Sequence, residues 1–186
     1  MYTPGLVGWL LAALCGLTGG YCLVRARVGP PLARQAACVE AVMGIGMAAM
    51  AVPGAPERPP AAFAVLFGAT ALWAAALLVA GVAHQAHHVM EGLAMVYMAV
   101  AMATAGPASG HAGHEPGGVP LLTGALLAYF ALYALATAPR LLPAAGGGGH
   151  GAAGHADTGR GGAFPEVAAG CRMTLAVAMF AMLLAV

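Results

Sequence analysis

The chain contains no lysine, and only 7% of its 186 residues are charged. Soluble domains carry about 25%. Seven arginines stand against six acids, and a net charge near +1 offers no basic face to nucleic acid. No long polar domain interrupts the apolar runs. Cysteine is scarce as well. Cys15, Cys22, Cys38 and Cys171 lie inside apolar segments and not in paired loops, which argues against a disulfide framework. The chain has no HExxH, no GxSxG, no P-loop and no GxGxxG leading from a strand, so no catalytic or organic-cofactor site is expected from motifs.

What remains is apolar: 61% of residues are hydrophobic and the mean hydropathy is +0.86. The composition predicts an all-α fold, a polytopic membrane helical bundle forming a single domain over residues 1–186. Six transmembrane helices are expected, at about 6–24, 35–52, 61–82, 84–105, 119–138 and 167–186. The first run lacks a positive segment before it and reads as a retained span instead of a cleaved signal. It also carries Gly16 and Gly20, a small-xxx-small face for close helix packing. PGAPERPP breaks the chain between spans two and three, and the Gly/Ala-rich stretch 139–166 reads as a flexible loop.

With six spans, Arg25, Arg27, Arg34, Arg140, Arg160 and Arg172 fall on one side and Arg58 on the other. The positive-inside rule makes the first side cytoplasmic and puts both termini outside, in a multi-pass protein of the cell membrane. The lipid bilayer is then the first partner. Homo-oligomers or a larger membrane complex are also compatible with such a chain.

One line of side chains organises the rest. His84, His88, Glu91, Met95, Met98 and Met102 are spaced 4, 3, 4, 3 and 4 residues apart. At about 100° per residue they share one narrow helical stripe, from imidazoles through a carboxylate to thioethers. It is about 27 Å long, close to the hydrocarbon thickness of a bilayer. His87 falls off this stripe, so two of the three neighbouring histidines are expected to face inward.

The 11 methionines are unevenly placed. Apart from Met1 they all fall in spans two, four and six: Met43, Met47 and Met50; Met90, Met95, Met98 and Met102; Met173, Met179 and Met182. Thioethers, thiolates and imidazoles are the ligands of soft Cu(I). Met-x3-Met and Met-x2-Met put sulfurs one turn apart on one face, a ladder of weak sites suited to passage of an ion. The competing reading is packing, because methionine fills irregular gaps between helices.

Glu40 and Glu91 are two acids inside spans, where a charge costs about 2.5–3.5 kcal/mol and marks a functional site or a paired partner. With His84 and His88 they supply a hard-ligand set that suits zinc or iron. A proton relay through the glutamates is a second reading. Pairing of either glutamate to Arg34 or Arg172 is a third. His111, His114 and Glu115 form a weaker outer cluster, and His150 and His155 a weaker inner one.

The Glu40-x2-Met43-x3-Met47-x2-Met50 and His87-His88-x2-Glu91-x3-Met95-x2-Met98 runs, on six short spans, resemble an uncharacterised family of actinobacterial integral membrane proteins. Met-x3-Met within a span also resembles the gate motif of the trimeric high-affinity copper transporters, which have three spans per chain. The sequence therefore leads to a protein that binds or moves a transition metal, Cu(I) first. Met43, Met47, Met50, Met95, Met98 and Met102 are the soft ligands, and His84, His88, Glu40 and Glu91 form a site near the cytoplasmic side. The alternatives are a structural or assembly subunit of a larger membrane complex, and a membrane-embedded zinc or iron hydrolase or oxidase.

Overall fold

In the computed structural model, residues 4–53, 59–104, 118–140 and 165–184 are described. They form six α-helices: α1 Pro4–Arg25, α2 Pro31–Ala51, α3 Pro60–Val79, α4 Gln85–Thr104, α5 Pro120–Thr137 and α6 Pro165–Leu183, with a 3₁₀ turn at Ala138–Arg140 after α5. Every helix but α4 opens on a proline. Proline's fixed φ suits a first turn, and its missing N–H is not needed there. Most of the predicted loops at 106–118 and 139–166, with His111, His114, His150 and His155, lies outside the described residues.

The helices pack in sequential pairs: α1 on α2, α3 on α4, and α5 on α6. The even-numbered helices α2, α4 and α6 also meet one another. α1 and α2 cross at Gly19 and Gly44. A Cβ on Gly44 would lie 2.8 Å from the Gly19 Cα and 2.9 Å from the Cys15 carbonyl, so the backbones touch. This corrects the expected Gly16/Gly20 face. Nothing lies within 4 Å of a Cβ built on Gly20, and Gly16 meets only the Ala48 methyl at 3.7 Å.

The α3–α4 turn is set by Gly81, whose φ of +80° only glycine adopts without strain. The Val82 N–H donates to the Leu77 carbonyl and the Gly81 N–H to the Leu78 carbonyl, closing α3 in a Schellman motif. His84 follows, itself at φ +66°. α4 therefore starts at Gln85, one residue after the predicted start.

The odd and even helices differ in kind. α1, α3 and α5 are long and apolar enough to cross a membrane. They turn large apolar side chains outward: Leu17 is 76% exposed, Leu72 74%, Val79 90% and Leu121 84%. α2 and α4 carry most of the buried positions, including Glu40, His87, His88 and Glu91, all 3% exposed or less. Charges inside and leucines outside would be an inverted design in water; in a bilayer it is the stable one. Thr18 and Thr70 follow the same rule, their hydroxyls donating back to the Leu14 and Leu66 carbonyls, each one turn earlier.

Candidate functional site

Helix direction decides which residues share a depth. α1, α3 and α5 run toward the turn ends at residues 26–30 and 80–84, and α2 and α4 start there. The last turn of α1, the lower half of α2, the first turns of α4 and α6 and the second half of α5 therefore meet at one end of the bundle. A buried layer of ionisable groups forms there.

Glu40 is its hub. Its Oε2 lies 2.9 Å from Arg25 Nη2 and accepts a hydrogen bond from the Cys22 thiol at 3.4 Å. Its Oε1 lies 3.6 Å from both Arg172 Nη1 and His88 Nε2. His88 Nδ1 is in turn 2.8 Å from Glu91 Oε2, and Glu91 Oε1 is 3.1 Å from His87 Nε2. His87 Nδ1 reaches the Tyr129 hydroxyl at 3.2 Å. The His87 ring also stacks flat on Tyr133, with centroids 3.5 Å apart and planes 4° from parallel. The result is one chain of contacts, Tyr129–His87–Glu91–His88–Glu40–Arg25, running from α5 through α4 and α2 to α1.

Alternating imidazoles and carboxylates hold one another in place, although His87 Nε2, His88 Nε2 and Glu91 Oε1 make no hydrogen bond among the described residues. They hold a metal less readily. Both nitrogens of His88 already face carboxylates, and among the described residues no group of three or more His, Cys, Asp or Glu is placed to hold a metal ion. Of the predicted hard ligands, Glu40, His88 and Glu91 come together. His84 does not. It sits exposed in the left-handed turn before α4, where its carbonyl accepts the His87 N–H. His87, which the periodicity put off the stripe, takes the inner place. The arginines that face Glu40 are Arg25 and Arg172, while Arg34 instead donates from Nε to the Ala26 carbonyl and closes the α1–α2 turn.

Above this layer lies an apolar core. Met43 and Met47 of α2, Met95 and Met98 of α4 and Met179 of α6 are all buried in one cluster with Cys15, Phe67 and Phe130. Met50 is half-buried against it. Met102 departs from expectation: it is 46% exposed, in the last turn of α4. Met43 lies one turn above Glu40 and Met95 one turn above Glu91, with Met47 and Met98 a further turn up, so the two helices are in register. Gly92 makes room for this. A Cβ there would lie 3.0 Å from the Met43 methyl and 2.8 Å from the Ala71 Cβ.

Some members of the site carried little signal in the sequence. Tyr129 and Tyr133 are one turn apart on α5, a spacing that gives a shared face, but nothing local joins that face to His87. Arg25 reads as an interfacial arginine until α1 is laid against α2. Cys22 and Cys15, seven residues apart, do share the inward face of α1, and both are fully buried.

Fold and site together define a helical membrane protein with a buried ionised layer beneath a thioether core. The chain belongs to the family described as Domain of unknown function (DUF5134), which matches residues 32–186. The match takes in Glu40, the α4 cluster, every buried methionine, Cys171 and Arg172; α1, with Cys22 and Arg25, precedes it. No curated protein and no solved structure matches the chain.

Proposed function

We propose that this protein binds Cu(I) within the bundle and passes it along the thioethers of Met43, Met47, Met95, Met98 and Met179. The observation that carries the reading is the convergence of methionines from three separate helices in one buried cluster, while the outward faces carry leucine and valine. Packing alone is served equally well by leucine; neutral sulfurs facing one another across helices also lower the cost of a soft monovalent ion. The ionised layer below is then the polar mouth of the path, with Glu40 and Glu91 as its negative charges.

In this reading α2, α4 and α6 cross the bilayer alongside the three more apolar helices. Six crossings put both termini outside and the arginine-rich turns in the cytoplasm. The even helices are less apolar because the odd helices shield them from lipid.

Elemental analysis of detergent-purified protein tests this, with wild type beside Met95→Leu/Met98→Leu and Glu91→Gln. Copper in the wild type that falls in the methionine variant is the expected result. Zinc or iron lost only from Glu91→Gln transfers the site to the hydrolase or oxidase alternative. Absence of metal from every sample leaves the structural-subunit reading.

A further inference from the structure

Two cysteines 149 positions apart in the chain meet at the edge of the ionised layer. Cys22, in the last turn of α1, and Cys171, in the second turn of α6, share a small buried cluster with Ala41. Both thiols are free. The Cys22 thiol also donates to Glu40 Oε2 at 3.4 Å.

The surrounding charge is unbalanced. Glu40 faces the guanidinium groups of both Arg25 and Arg172. The second carboxylate, Glu91, is engaged with the two imidazoles instead. At the thiols, therefore, one negative charge stands against two positive ones. Arg25 Nη1 is buried and has no hydrogen-bond partner among the described residues. A partly buried guanidinium with too little negative charge around it is costly, and an anion beside it relieves the cost.

We infer that Cys22 and Cys171 form a two-coordinate thiolate site for Cu(I). Binding forms two S–Cu bonds, releases the two thiol protons and leaves a bis-thiolate complex of charge −1. That charge balances the second guanidinium. Copper keeps its oxidation state throughout. The Arg25 and Arg172 side chains are 24% and 16% exposed, so the site opens at the end of the bundle. It needs no third ligand, which agrees with the absence of a larger ligand group among the described residues. The choice of ion rests on the function proposed above, but none of the thioethers is a ligand here.

The test supplies Cu(I) as its bicinchoninate complex to purified full-length protein and measures copper taken up per chain. Wild type, Cys22→Ser/Cys171→Ser, Met95→Leu/Met98→Leu and Cys38→Ser are compared. Loss of one copper equivalent from the Cys22/Cys171 variant, with the Cys38 control unchanged, is the expected result. If the methionine variant loses copper and the Cys22/Cys171 variant keeps all of it, the dithiol site is wrong and the thioether path stands. If copper is lost only with Cys22 and Cys171, the thioether path fails and the dithiol stands. If no sample takes up copper, both fail.

A second measurement avoids substitution altogether. In wild-type protein loaded with one equivalent of Cu(I), X-ray absorption at the copper edge should show two sulfur ligands. A higher coordination number, nitrogen or oxygen ligands, or a disulfide between Cys22 and Cys171 in the copper-loaded sample, overturns the inference.

Discussion

The thioether core and the ionised layer are both buried, yet different physics holds each together. In the core, Met43, Met47, Met95, Met98, Phe67 and Phe130 touch through dispersion and shape, with no formal charge among them. In the layer, Arg25, Glu40, His87, His88, Glu91 and Arg172 are held by partner and by angle. A core side chain can be exchanged for another of equal volume. A member of the layer cannot, because its removal strands a partner away from water. Substitutions that separate the two regions follow, from the largest effect to the smallest.

Glu40→Ala should cost about 3–5 kcal/mol, since it leaves two guanidiniums without their carboxylate. Thermal unfolding in detergent micelles measures it, and an unchanged midpoint would mean that the layer is solvated. His88→Ala should cost less, about 1–3 kcal/mol, because it leaves Glu91 short of one hydrogen-bond partner without stranding a cation. The same melt ranks the two. Gly44→Ala tests a contact that belongs to neither region. Its Cβ would meet the Gly19 backbone, which cannot move aside as a side chain can, so α1 must shift, at about 1–3 kcal/mol. A cross-link between cysteines placed on α1 and α2 should form more slowly in that variant.

Met95→Leu/Met98→Leu should change stability by less than about 1.5 kcal/mol per site, because volume is conserved. Its effect should appear in copper content instead. A large loss of stability there would mean that thioether shape, and not metal, explains the methionines. His84→Ala comes last, within about 0.5 kcal/mol, since the side chain is exposed on a turn. If His84→Ala costs as much as His88→Ala, the division between α4 and the turn before it is wrong.

Much of this was legible in the chain itself. Hydropathy put the starts of four helices at 35, 61, 119 and 167, within four residues of the observed Pro31, Pro60, Pro120 and Pro165. The 3.6-residue period put Met43, Met47, Glu91, Met95 and Met98 on inward faces, and they are buried. The period failed at the ends of its stripe. His84 falls in a left-handed turn that a helical wheel cannot represent, and Met102, in the last turn of α4, is 46% exposed.

The sequence by itself determined the class: six apolar helical segments with too few charges for water, with the helical glutamates, histidines and methionines all on the even-numbered ones. Hydropathy and helical period are properties of a segment, so one strand of text carries them. The tertiary structure alone decided the partners: Arg25 with Glu40, Tyr133 over His87, Gly19 against Gly44, and Cys22 beside Cys171. Each of those contacts depends on the angle and register at which two distant helices pack, and no local pattern encodes either.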